Sequence, residues 1–260
     1  MKHSVNDCLC EQQLASTVSA LREQKPESII YQTSLMSALL SGVYDGNVTV
    51  ADLMKKGDFG LGTFNQLDGE MIAFDSEFYQ LRSDGSAREA RPDQKTPFAV
   101  VTFFNPQYSH HFSEPVSRQE IHELIDSQVT SDNQFCALRI NGHFSAASTR
   151  TVPCQRRPYR SMPEVLGQQP TFHFSQRKGV LIGFRTPQYM QGINVAGYHE
   201  HFITDDRQGG GHLLDYQLVE GELSFGEISK LVIDLPGDHD FLSANLNPEN
   251  LDSAIRSVES

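Results

Sequence analysis

From residue 59 to residue 235 the chain is cut by turn-forming residues into short apolar runs, too brief for packed helices and of strand length. Residues 59–64 and 70–74 flank Asn65-Gln66-Leu67-Asp68-Gly69, whose closing Asp-Gly pair suits a hairpin, and 78–81 follows before Ser83-Asp84-Gly85 turns the chain again. Residues 97–104 read as a further strand, and 135–140 and 143–152 are expected to pair across Asn141-Gly142. A second group of strands, 171–174, 179–185, 195–203, 212–219 and 230–235, is separated by glycine-rich turns and suggests a compact barrel or sandwich. Helices are few. Thr33 or Ser34 can cap a short one through Leu39, and Thr49 with Asp52 forms a variant capping box for 50–56. Ser117 with Glu120 opens a helix carrying Ile121, Leu124 and Ile125 on one face.

The expected class is α+β, mostly antiparallel β, in two lobes. A mixed sheet with flanking helices is expected over 29–160, and a small β-rich, barrel-like lobe carrying a metal site over 161–245. Pro153, Pro158, Pro163 and Pro170 crowd the junction, leaving room for one short helix around 163–167. Residues 1–28 are polar and aperiodic and read as a mobile arm; 246–260 read as a polar tail.

Twenty-one Lys and Arg against 33 Asp and Glu give a net charge of −12, a field that repels a phosphate backbone. The basic run Gln155-Arg156-Arg157-Pro158-Tyr159-Arg160 is too short to reverse it, so nucleic acid is not an expected partner. The apolar stretches fall far short of the roughly 20 residues that cross a bilayer, and the first residues lack the apolar core of an export signal. No membrane association and a cytoplasmic location are expected. Cys8, Cys10, Cys136 and Cys154 lack the paired spacing of a structural zinc site and read as reduced thiols.

The densest chemistry lies in Gly197-Tyr198-His199-Glu200-His201-Phe202-Ile203, followed by a glycine-rich turn and His212-Leu213-Leu214-Asp215-Tyr216. On a strand His199 and His201 share one face, while Glu200 and Phe202 share the other. A hairpin centred near Asp206 and Arg207 sets His212 opposite His201, where cross-strand Cβ atoms lie roughly 4.5–5.5 Å apart. Three imidazoles so placed can each give a nitrogen to one Zn²⁺ and leave a fourth position for water or substrate. Imidazole also suits Fe, Ni, Cu or Mn; zinc is preferred because no facial-triad carboxylate stands at an obvious spacing. The other seven histidines are scattered in polar or turn settings, and His110-His111 reads as loop or surface.

At these residues the chain resembles the α-acetolactate decarboxylases of the bacterial acetoin and butanediol pathway. The matching blocks are GVYDG (42–46), GDFGLGTFNQLDGE (57–70), FYQLRSDG (78–85), STRTV (148–152), GINVAGYHEHFI (192–203) and GGHLLDY (210–216). The resemblance implies decarboxylation of (S)-2-acetolactate to (R)-acetoin and CO₂ on a zinc held by His199, His201 and His212, in a homodimer. It also implies roles for Glu70, Arg150 and Thr63, and for a glutamate of the tail that reaches the active site, matched by Glu259 with Glu249 as the alternative. Without it, each of these side chains reads as structural or solvated.

The chemistry needs such groups. Acetolactate is a β-keto acid, and the electron pair left by CO₂ must flow into the adjacent ketone to give an enediolate. Zinc is the electron sink that replaces a Schiff-base lysine or thiamine. Arg150 can grip the carboxylate, Thr63 can hydrogen-bond a substrate oxygen, and Glu70 or Glu259 can deliver the stereospecific proton. Two other classes compete: a cupin-like metal enzyme, which expects a carboxylate a few residues beyond the H-x-H pair, and a zinc-stabilised β-rich binding module closed by a fourth protein ligand.

Overall fold

The computed structural model describes residues 28–165, 167, 169–248 and 251–259, with side chains in the last segment as far as Ile255. Among these residues the strands run in chain order β1 (Ile29–Thr33), β2 (Val48–Thr49), β3 (Phe59–Thr63), β4 (Glu70–Phe74), β5 (Glu77–Leu81), β6 (Ala87–Glu89), β7 (Lys95–Thr96) and β8 (Ala99–Thr102). They continue with β9 (Tyr108–Phe112), β10 (Val116–Ser117), β11 (Phe135–Arg150), β12 (Thr171–Thr186), β13 (Gly197–Thr204), β14 (Gly210–Ile228) and β15 (Lys230–Asp234). The helices are α1 (Met36–Leu40), α2 (Val50–Leu53), α3 (Arg118–Gln128), α4 (Met162–Val165), α5 (His239–Ser243) and α6 (Leu251–Glu259). Both capping boxes form, at Thr49 with Asp52 and at Ser117 with Glu120. The first helix is not capped by Thr33 or Ser34: Leu35 is the N-cap, and the carbonyls of Ile193 and Gly192 accept from the Met36 and Ser37 amides instead.

The fold is mostly β, as the turn pattern requires. One sheet has the order β15-β1-β8-β3-β4-β5-β6 and is mixed, since β15 runs parallel to β1. β2 and β7 form a small separate pair, and the second large sheet has the order β10-β14-β11-β12-β13 with β9 added to β14; β13 pairs again with β14, so β11, β12, β13 and β14 close into a ring. The sheets exchange strands along the chain, with β11 in the second sheet and β15 back in the first.

The sheets face each other across one apolar core. Phe59, Leu61, Ile72 and Phe74 meet Ala137, Val180, Ile182, Phe184 and Ile203. The far side of the second sheet buries Leu138, Phe144, Leu181 and Phe202 with Ile121 and Ile125 of α3. Covered on both faces, β12 is apolar without alternation at Val180, Leu181 and Ile182. The proline-crowded segment contributes Val152, Met162 and Val165 to the inter-sheet core.

Turns expected inside the long strands do not form: β12 runs unbroken from Thr171 to Thr186, through the break expected between 174 and 179. Asn141-Gly142 is not a turn, because β11 runs straight through it. Gly142 pairs with Gly179 on one side and Gly221 on the other, and a Cβ there would sit 2.6 Å from the Glu220 carbonyl oxygen. The glycine serves close approach of backbones, and its φ is not in the left-handed region a type I′ turn needs. Residues 108–112 form β9, so His110 and His111 lie on a strand; His111 is exposed there, as the surface reading of the pair expects.

Candidate active site

Alternation along β13 turns His199 and His201 toward the first sheet, while Phe202 enters the core beneath α3. The β13–β14 register sets His201 opposite His212, the partner that symmetric counting about the turn requires. Gly211 lets β14 pass close behind, since a Cβ there would meet the Arg150 carbonyl oxygen at 2.5 Å. One ligand atom from each of His199, His201 and His212 lies within 4.8 Å of the others, and all three side chains are buried.

Burial keeps the imidazoles of His199 and His201 neutral. Desolvation, followed by the charge of Arg150, pushes the pKa of His199 down to about 4. Desolvation, followed by His199, holds His201 well below its ordinary value. Nδ1 of His201 donates to the Met71 carbonyl oxygen at 2.7 Å, which leaves Nε2 as the lone-pair nitrogen. That Nε2 is buried without a hydrogen-bond partner. Three imidazole nitrogen donors, one fixed in its tautomer from behind, fit a divalent metal cation. Among the described residues no thiol belongs to the group: Cys136 is buried elsewhere, its pKa pushed up to about 12 by burial.

A small cavity opens onto the histidines. Thr63, Glu70, Arg150, His199 and His212 form its polar wall, and Met36, Leu39, Leu67, Phe98, Val152 and Met162 its apolar one. His201 lies behind, fully buried. Arg150 ends β11 directly across from His212, so Arg150, His212 and His201 form one row over three strands. Glu70 opens β4 opposite Thr63, and its Oε2 is 3.9 Å from Nε2 of His201. The Thr63 hydroxyl donates to the Gly69 carbonyl at 2.7 Å, which leaves its oxygen as an acceptor toward the cavity.

The β3–β4 connection is strained where it meets the cavity. Gln66 and Leu67 have φ of 66° and 52°, left-handed values costing on the order of 1 kcal/mol each for residues other than glycine. Neighbouring segments hold them: Asn65 exchanges hydrogen bonds with Gly46 in both directions, and the Gln66 amide donates to Tyr44 at 2.7 Å. The result is a fully buried Leu67 under the polar groups. An apolar residue inside an otherwise polar turn was the signal for it in the sequence.

The tail helix α6 packs beside α1 and α4, which carry the wall residues Met36, Leu39 and Met162. Ile255 is buried there. The side chain of Glu259 and all of Glu249 lie outside the described residues. Asp205 and Asp206, the carboxylates a few residues beyond the H-x-H pair, are exposed in the β13–β14 turn and are not in the three-histidine group that could hold a metal.

Sequence reasoning missed what lies behind β13. Glu200 is buried with Oε2 2.8 Å from Arg118 Nε and Oε1 3.1 Å from His122 Nε2. Burial, the largest influence, pushes its pKa up, yet His122 and Arg118 together bring it below the ordinary range. Nothing in the spacing of Arg118 and Glu200, 82 residues apart, signals the pair.

The family profile described as Alpha-acetolactate decarboxylase matches residues 30–248. The Alpha-acetolactate decarboxylase of Klebsiella aerogenes is 69% identical over 259 residues, covering 100% of this chain and 99% of that one. That of Raoultella terrigena is 68% identical over 253 residues, covering 97% and 98%. The crystal structure of alpha-acetolactate decarboxylase from Bacillus subtilis strain 168 superposes with a TM-score of 0.87 at 43% identity, covering 89% of this chain and 99% of its own.

Proposed function

The chain belongs to the alpha-acetolactate decarboxylase family, and from that premise we propose how its cavity carries out the reaction. It is a carboxy-lyase that converts 2-acetolactate to acetoin and CO₂. The observation that carries the reading of the site is that the buried three-histidine group, Arg150 and Glu70 all meet at one small, half-apolar cavity.

His199, His201 and His212 hold the metal, for which their all-imidazole donor set favours zinc. When bound, it supplies positive charge that stabilises negative charge developing on the substrate oxygens. Arg150 binds the substrate carboxylate through its rigid fork and so orients the bond to be broken. Thr63 accepts a hydrogen bond from the substrate hydroxyl, since its own proton is committed to Gly69. The methyl groups rest on Leu67, Phe98 and Val152, and the same wall keeps water from the carbon that loses CO₂.

A carboxyl group then gives its proton to that carbon on one face, so (S)-2-acetolactate yields (R)-acetoin. Glu70 is the carboxylate beside the metal group, and Glu259 is the second candidate for the proton. The protein works in the cytoplasm as a homodimer. Exposed Ile29, Val232 and Leu235, on or just after the paired strands β1 and β15, offer an apolar surface for a second copy. Among the described residues no helix is long and apolar enough to cross a membrane.

Incubation of the metal-loaded protein with racemic acetolactate, followed by NMR, tests the reading. Stoichiometric acetoin and CO₂ are expected. Inertness toward acetolactate would refute it, and consumption of acetolactate to any other product would do the same.

A further inference from the structure

The strands that carry the three histidines are joined by a ladder that ends at the His201–His212 pair. Beyond it, where β13 continues back to His199 and β14 forward to Leu214, a side chain takes over. The Arg118 guanidinium donates from Nε to Glu200 Oε2 at 2.8 Å and from Nη1 to the Leu214 carbonyl oxygen at 3.2 Å. Glu200 stands between His199 and His201, and Leu214 is two residues past His212. We propose that Arg118 is a positioning residue of the metal centre, its guanidinium clamping the diverging ends of β13 and β14 and so fixing His199 relative to His212.

The clamp is anchored through α3. Arg118 is the first residue of α3, directly after β10, whose Val116 and Ser117 pair with Leu218 and Gln217 of β14. The Ser117–Glu120 capping box and buried Ile121 and Ile125 hold the helix in place behind the sheet. The other oxygen of Glu200 faces His122 Nε2 at 3.1 Å, and that ring stacks on Tyr198 with centroids 3.6 Å apart, outside the bridge between the two strands. A buried ion pair adds little net stability over apolar packing of the same volume. A planar fork that grips a side chain of one strand and the backbone of the next adds a fixed separation, which a lysine ammonium on its flexible stem cannot reproduce. His199 and His212, with ring centroids 5.0 Å apart, are the two ligands whose separation the ladder itself leaves unset.

The inference rests on the reading that the histidine group holds a metal, and the test separates the two. Chelator-stripped parent protein, Arg118→Lys and His122→Phe are reloaded with Co²⁺ for visible absorption, and Zn²⁺ affinity is measured by competition with a chromophoric chelator. Arg118→Lys is expected to shift the cobalt bands, to bind Zn²⁺ at least about ten-fold more weakly, and to lose kcat more than it gains in KM. His122→Phe removes a Glu200 partner but keeps the bridge and the ring stack, so it should keep the parental bands even where its thermal midpoint falls. If Arg118→Lys does not fold, Glu200→Gln, which keeps the shape and weakens the grip, takes its place with the same expectations. Parental bands and affinity in the clamp variant would overturn the proposal, as would equal band shifts in His122→Phe, which would signal general loosening. Failure of the parent itself to take up cobalt would refute the metal reading and this inference with it; uptake by the parent with an unmoved clamp variant refutes the inference alone.

Discussion

Nδ1 of His201 donates to the backbone carbonyl of Met71 across 2.7 Å, tying β13 of one sheet to β4 of the other. Met71 follows Glu70, whose Oε2 stands 3.9 Å from the other nitrogen of the same ring. The register of β4 thus sets two things together, the tautomer of a histidine in the candidate metal group and the position of the Glu70 carboxylate beside it. The hairpin that makes this possible is closed by Thr63, whose hydroxyl holds Gly69 just before Glu70.

Glu70→Gln should therefore keep its metal, because the amide preserves shape, while kcat falls by roughly 10²- to 10⁴-fold or the acetoin loses enantiomeric purity. Chiral chromatography beside rate measurements decides. Parental rate and purity would exclude Glu70 as donor and pass the role to Glu259, for which Glu259→Gln is a cleaner probe than truncation, since Ile255 is part of the core.

Arg150→Lys is expected to lower kcat/KM by roughly 10- to 100-fold, the loss of a charge-assisted hydrogen bond worth about 1.5–3 kcal/mol, with metal content unchanged. Arg150 also depresses the pKa of both His199 and His201, so its charge is felt at the metal group itself. Wild-type kinetics in this variant would return Arg150 to a structural part in the end of β11.

In the metal-free protein, acid should destabilise the fold through the same histidines. The folded state holds His199 near about 4 against an ordinary 6.5, so between these values the unfolded chain takes a proton the folded one refuses. Stability then falls as pH drops from 6.5 to about 4, by roughly 3 kcal/mol from His199 alone. Urea midpoints of chelated protein across this range should show that slope, and His199→Gln should lessen it by the share of His199 while His201 supplies the remainder. A flat profile in the parent would show that the imidazole is not held neutral by burial.

Gly142→Ala probes the row of glycines across β12, β11 and β14. The added methyl meets the Glu220 carbonyl oxygen and Leu218 at 2.6 Å, and a loss of about 1–3 kcal/mol is expected by urea denaturation. An unchanged midpoint would mean that the three strands do not approach as closely as described.

Local signals in the sequence carried far. Both capping boxes, the Asp68-Gly69 turn and the His201–His212 register could be read from spacing because each depends on residues close in the chain. Asn141-Gly142 misled because the same dipeptide that suits a tight turn also suits three backbones crossing, and only the partner strands decide between them. Arg150 beside His212 and Arg118 on Glu200 depend on pairings over 62 and 82 residues, which no local pattern encodes. The apolar wall was partly legible at Leu67, but Met36, Phe98 and Met162 look in the sequence like any core residue.

The central claim is that one metal ion on His199, His201 and His212 is what makes this cavity a decarboxylase. Its most direct test is a titration: strip the protein with chelator, add zinc in substoichiometric steps, and measure metal content and acetoin formation in each sample, beside His199→Ala, His201→Ala and His212→Ala. Activity should rise in proportion to bound zinc and level off at one ion per chain, and each alanine variant should remain folded with little metal and turnover lower by on the order of 10³-fold or more. Full turnover in protein shown by elemental analysis to be metal-free, or parental metal content in any of the three variants, would contradict it.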